Sequence, residues 1–112
     1  MEEETLNKAR QVAMRYLSGR DRSVYQVRQK LVEKEFAAAI VDQVIADLER
    51  HNLVDDRALA HRWVQVRVEG KGAGPAKLAQ DLRRRGISQD IVKDVLEEFA
   101  DILSSADAAA GL

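Results

Sequence analysis

The stretch Phe36-Ala37-Ala38-Ala39-Ile40-Val41-Asp42-Gln43-Val44-Ile45-Ala46-Asp47-Leu48 is answered, 51 residues on, by Ile87-Ser88-Gln89-Asp90-Ile91-Val92-Lys93-Asp94-Val95-Leu96-Glu97-Glu98-Phe99. Phe36, Ile40, Val41, Val44, Ile45 and Leu48 fall on Ile87, Ile91, Val92, Val95, Leu96 and Phe99, and Leu31 falls on Leu82. Within each copy the apolar residues follow the three- and four-residue steps of one helix face. Further upstream the offset is 47, with Ala13, Tyr16, Leu17 and Arg20 on Ala60, Trp63, Val64 and Arg67. The change of offset marks a four-residue insertion near Glu69 to Ala73. A unit that returns at a fixed period is a supersecondary element that must bury its apolar face on its neighbours.

Working outward, each copy reads as three helices. In the first, Ala9, Val12, Ala13, Tyr16 and Leu17 line one face, and Gly19-Arg20-Asp21-Arg22 breaks the pattern. Ser23, with Gln26 three residues on, predicts a capping box for a second helix with Val27 and Leu31 inward. A turn at Phe36 leads to the third helix, and Asn52 is its expected stop. In the second copy Asp55 is the expected cap of the fourth helix, whose inner face is Leu59, Ala60, Trp63 and Val64. Gly70 to Gly74 reads as a flexible link. Pro75 suits a first helical position, where its missing N–H costs nothing. Gly86 suits a left-handed helix end, and Ser88 the cap of the last helix. No strict alternation runs long enough for a strand. The expected fold is all-α: two tandem three-helix repeats, residues 1–54 and 55–104, packed as a small right-angle helical array, with a fraying tail over 105–112.

Composition bounds the function. The chain has 112 residues, 33% of them charged, and no cysteine, so disulfides and thiolate metal sites are excluded. Its acidic start, Met1-Glu2-Glu3-Glu4, is unlike a signal peptide, and no apolar run spans a bilayer, so a cytoplasmic protein is expected. The net charge of −1 hides an alternation. Lys8 to Lys34 carries a balance of +6 and Arg57 to Arg85 another +6, whereas Glu35 to Asp55 carries −4 and Gly86 to Leu112 carries −5. The first two helices of each repeat are basic and the third is acidic.

The run Tyr16-Leu17-Ser18-Gly19-Arg20-Asp21-Arg22-Ser23, followed by Arg28, Lys30 and Leu31, resembles the opening repeat of the RecX family. Leu48-Glu49-Arg50-His51-Asn52-Leu53-Val54-Asp55-Asp56, with Ala60 on the next helix, resembles it too. Gly70-Lys71-Gly72, Gly74-Pro75, Lys77-Leu78, Leu82 and Arg85-Gly86-Ile87 resemble its glycine-proline turn and helix end. The resemblance covers about residues 9 to 99. It implies tandem three-helix repeats, usually three, that lie in the groove of the RecA recombinase filament and inhibit its ATPase and strand exchange. This sequence has two repeats, and its turn carries an extra Ala73-Gly74.

The residues also suggest a surface. Arg57, Arg62, Arg67, Lys71, Lys77, Arg83, Arg84 and Arg85 form the basic half of the second repeat and are the candidate contacts to phosphate or to acidic side chains. Phosphate contacts of this kind release counterions and weaken steeply with salt. Base-reading by a helix-turn-helix is disfavoured, because the helices that would enter the groove are the acidic ones. Trp63 and Tyr16 read as core aromatics, and Asp55-Asp56 as a helix start. His51 and His61 lack partners at metal-ligand spacing. Gly70-Lys71-Gly72-Ala73-Gly74 lacks the preceding strand and the spacing of a phosphate loop, so it reads as a hinge. No nucleophile, base and orienter assemble. The expectation is a monomeric, non-enzymatic regulator without cofactor or metal. Its partner is the RecA filament, with single- or double-stranded DNA as a further contact, or else it is a stand-alone non-specific nucleic-acid-binding module.

Overall fold

The computed structural model describes residues 2–70, 74–101 and 103. Lys71, most of the expected hinge and the tail over 105–112 lie outside the described residues. The helices, in order, are α1 (Glu2–Leu17), α2 (Val24–Glu33), α3 (Ala38–Arg50), α4 (Asp56–Glu69), α5 (Pro75–Arg84) and α6 (Gln89–Glu98). Among the described residues there is no strand. The chain divides into two compact units at the Asp55–Asp56 bond, with three helices in each.

In the first unit α1, α2 and α3 pack pairwise. Their core is Ala9, Ala13, Val27, Leu31, Val41, Val44, Ile45, Leu48 and Val54. Alanine at both buried positions of α1 lets α2 and α3 approach its backbone. The capping box of α2 is complete: the Ser23 hydroxyl accepts from the Gln26 N–H at 3.1 Å, and the Gln26 side chain accepts from the Ser23 N–H at 3.0 Å. Two residues other than glycine take the left-handed conformation in the turns that follow α2 and α3: Glu35 at φ 67° and Asn52 at φ 57°. Beyond each, a backbone N–H reaches back over the helix end, Phe36 to the Leu31 carbonyl at 3.2 Å and Leu53 to the Leu48 carbonyl at 2.8 Å. These bonds satisfy carbonyls that the helix leaves open.

In the second unit α6 packs against both α4 and α5. The core is Leu59, Ala60, Val64, Leu78, Leu82, Ile87, Val92, Val95 and Leu103. Pro75 stands at the first position of α5 and Gly74 at its cap. Gly86 is left-handed at φ 80°, and the Ile87 N–H returns to the Leu82 carbonyl at 3.2 Å, as Phe36 does to Leu31. The Ser88 hydroxyl accepts from the Ile91 N–H.

The first helices of the two units do not stop at matched positions. By the offset of 47, the end of α1 at Leu17 corresponds to Val64, yet α4 continues to Glu69. Residues 65–69, set against 18–22 by that offset, are therefore helical in the second unit and not in the first, which makes α4 outlast its counterpart by more than a turn. Ser18 and Gly19, the latter at φ 77°, stop α1. No breaker stands between Val64 and Gly70, and the Gln65 amide donates to Glu69 one turn on.

Candidate functional site

The basic half of the second unit is not one uniform surface. Arg57 on α4 is paired with Asp94 on α6 at 3.0 Å. Its counterpart in the first unit, Arg10 on α1, is paired with Asp47 on α3 at 2.6 Å. Both pairs join the first and third helices of their own unit across the same separation, 37 residues. Arg57 thus serves its own unit before any partner. Lys77 bonds to Asp81, one turn along α5, at 3.0 Å. That hydrogen bond, aided by the charges of Lys77, Arg84 and Arg85, holds the Asp81 carboxyl below its ordinary pKa against an opposing cost of burial. Arg62 is exposed on α4 and is also engaged in a contact. Arg83 and Arg84 are exposed in the last turn of α5, where cations suit the negative helix end. Among the described residues neither side chain has a hydrogen-bond or ion-pair partner.

The remaining two candidates come together on one ring. The guanidinium carbon of Arg67 lies 3.3 Å from the centre of the Trp63 ring, and that of Arg85 lies 3.7 Å from it. Two groups this close to one ring centre would overlap if they shared a face, so they cover opposite faces. Arg67 reaches the ring from the extended turn of α4 and donates through Nη1 to the Trp63 carbonyl at 3.3 Å. Arg85 reaches it from the end of α5 and donates to the Asp81 carbonyl at 3.4 Å. Each such stack is worth about 0.5–1 kcal/mol at a partly exposed site. Trp63 is therefore not the plain core aromatic expected from its spacing. It sits at the rim of the core, half-buried, with both faces taken by cations. Its Nε1–H is buried and has no partner among the described residues.

The first unit carries a related cluster that sequence reasoning did not find. Tyr16, the counterpart of Trp63, has the Arg22 guanidinium 4.2 Å and the Lys30 ammonium 5.4 Å from its ring centre. Here too one buried donor, Arg22 Nε, lacks a partner among the described residues. The equivalence of Tyr16 and Trp63 was the available signal. The cations were hidden because they come from non-equivalent positions: a turn and α2 in one unit, a helix extension and a helix end in the other.

The histidines have local roles. His51 Nδ1 stands 2.8 Å from the Asp47 carbonyl at the end of α3, and His61 lies 3.6 Å from Glu98 and against the Phe99 ring. Among the described residues no cluster of His, Asp and Glu has the make-up of a metal site, and no helix is long and apolar enough to cross a membrane.

Two compact three-helix units in tandem, each with an aromatic ring stacked on cations, define an all-helical repeat protein. The chain belongs to the RecX family: residues 9–48 match the first three-helix domain of RecX and residues 55–96 the second. It is 32% identical to the regulatory protein RecX of Chlorobium phaeobacteroides, over 91% of this chain and 68% of that one. It is 34% identical to the regulatory protein RecX of Halalkalibacterium halodurans over 88% of this chain, but spans only 37% of that longer relative. The crystal structure of RecX from Lactobacillus salivarius superposes with a TM-score of 0.86 over 93% of this chain and 68% of that one. At 22% identity that likeness is one of fold.

Proposed function

We propose that this chain binds the RecA recombinase filament and restrains its activity in recombination and DNA repair, as a monomer acting in the cytoplasm, with no catalysis of its own. Its membership of a family of regulatory proteins supports a regulatory role. The observation that carries the choice of surface is the exposed pair Arg83 and Arg84 at the end of α5, charged and without partners among the described residues. Two cations at a helix end beside Arg85 offer a positive patch to the DNA and acidic side chains of a filament groove. Arg62 and Arg67 belong to the same basic half in this reading, and Lys71, also a candidate, lies outside the described residues. Arg57 and Lys77, already paired within the unit, contribute to the field more than to contact.

The test is the ATPase of RecA on single-stranded DNA, titrated with the intact chain and with its Arg83→Glu/Arg84→Glu variant. Inhibition by the parent chain and a several-fold weaker effect of the folded variant are expected. An ATPase indifferent to the parent chain removes the proposal, and equal inhibition by both proteins removes the surface.

A further inference from the structure

The first unit carries an apolar groove that its own side chains leave open. It lies between α1 and the end of α3, its volume is about 540 Å³, and the surface facing it is almost wholly apolar. Met14 of α1, Leu48 of α3 and Leu53 just beyond α3 line it. Met14 is 46% exposed and Leu53 47%, and both are among the few large apolar side chains that the described residues leave in solvent. Leu53 is not on a loose loop. Asn52 is left-handed at φ 57°, the Asn52 N–H bonds to the Glu49 carbonyl at 3.0 Å, and the Leu53 N–H bonds to the Leu48 carbonyl at 2.8 Å. This paired closure of a helix end fixes the residue after the turn against the helix it leaves.

The matched place in the second unit is occupied. In the repeat register His61 stands for Met14 and Phe99 for Leu48. Their rings lie 5.0 Å apart, and Glu98 is 3.6 Å from His61. Two rings meet where a thioether and a leucine leave room. Apolar surface that is open in one repeat and covered in the other marks a contact site.

The charged residues at the groove decide what fits it. Asp47 is paired with Arg10 at 2.6 Å and also with Arg50. One carboxylate faces two guanidinium groups, so the edge of the groove keeps a positive charge in excess. Arg50 is 67% exposed and gives one N–H to Asp47. A guanidinium has five N–H donors, so Arg50 has donors for a second carboxylate without losing the first. We propose that this groove on the first unit docks a segment of a partner protein in which a leucine-sized apolar side chain stands beside carboxylates. The apolar side chain enters among Met14, Leu48 and Leu53, and a neighbouring carboxylate meets Arg50. The excess charge repels a basic segment, and a nucleic-acid strand brings phosphates but no aliphatic side chain for the floor. The proposal does not rest on the function proposed above: the groove lies within the first unit and involves neither Arg83 nor Arg84.

The experiment reads the groove directly. The protein has two methionines, Met1 and Met14, so a chain labelled at the methionine methyls gives a signal from the groove in an NMR titration, assigned with Met14→Leu. The probes are acetylated hexapeptide amides with one leucine among glutamates, the same peptides with alanine for leucine, and the same with lysine for glutamate. The Met14 methyl should shift saturably with the glutamate–leucine peptide, about ten-fold more weakly with its alanine counterpart, and not at all with the lysine peptide. Arg50→Gln should weaken binding about two- to five-fold and reduce its dependence on salt. Leu53→Gln should weaken it as well, whereas Val32→Gln, at an exposed apolar residue of α2 outside the groove, should leave it unchanged. Thermal melts confirm that the variants are folded. A Met14 methyl that stays in place up to millimolar glutamate–leucine peptide overturns the proposal, as does an equal response to the lysine peptide. A Met14 shift that grows with protein concentration in the absence of peptide assigns the groove to a second copy of the chain and overturns it too. RecA inhibition by a chain that binds no peptide separates this failure from that of the filament reading.

Discussion

Glu35 and Gly86, 51 residues apart, hold the same left-handed turn: φ is 67° at one and 80° at the other, and the N–H that follows each lies 3.2 Å from the carbonyl of a matched, fully buried leucine. The geometry is common to both repeats, but only one of them meets it with glycine. A side chain in this region brings Cβ against the backbone, which glycine avoids.

Glu35→Gly should therefore raise stability. After allowing for the extra freedom of glycine in the unfolded chain, the gain is about 0.5–1 kcal/mol. Urea unfolding of the two proteins checks it. A lower midpoint for the variant would show that Glu35 is held by something other than its turn.

The two serine caps should differ in worth. Ser23 is wholly buried and completes a reciprocal capping box, so Ser23→Ala should cost about 1–2 kcal/mol. Ser88 is exposed and makes a single bond at 3.3 Å, so Ser88→Ala should cost about 0.5 kcal/mol. Paired melts of the two variants rank them, and the reverse order would contradict the geometry.

Acid should find the Asp47 network. The hydrogen bond from Arg10 holds the Asp47 carboxyl below its ordinary value of 3.8; burial opposes it, and the charges of Arg10 and Arg50 assist. A carboxylate with a lowered folded pKa adds stability that is complete above its unfolded pKa and disappears as pH falls through the folded value. Arg10→Gln should be less stable than the parent at pH 7, and the two should converge as pH falls below 3.8 and through the lowered folded value. Denaturant midpoints from pH 7 to pH 2 read this directly. A difference that persists undiminished at pH 2 would assign the effect of Arg10 to packing.

Leu31 and Leu82 are repeat partners, each with no exposed surface, in separate cores. Replacing either with alanine should cost about 2–5 kcal/mol. Circular dichroism melts measure it. A loss under 1 kcal/mol at one site would mean that its core closes over the gap.

The caps and turns at Ser23, Asn52, Pro75, Gly86 and Ser88 were legible from sequence because each is decided within a few residues of chain. Glu35 was not flagged, since glutamate is no signal for a left-handed turn. Only its register with Gly86 exposes it. α4 ends at Glu69, just before the glycine from which the link was read, because glycine is a local breaker. Trp63 shows the limit at the site. Its spacing put it on the apolar face, which is correct, but spacing is silent on what lies over an aromatic ring.

The sequence by itself determined the doubled three-helix pattern, the identity of both cores and the alternation of charge, because helix periodicity, capping and repeat register are properties of neighbouring residues. The tertiary structure alone decided which cations are spent and which are available. Arg57 goes to Asp94, Arg67 and Arg85 go to Trp63, and Arg83 and Arg84 stay exposed. A count of charges fixes their sum, whereas Asp94 for Arg57 and Trp63 for Arg85 come from other helices that the fold brings alongside, and Arg67 alone finds its ring one turn away on its own helix.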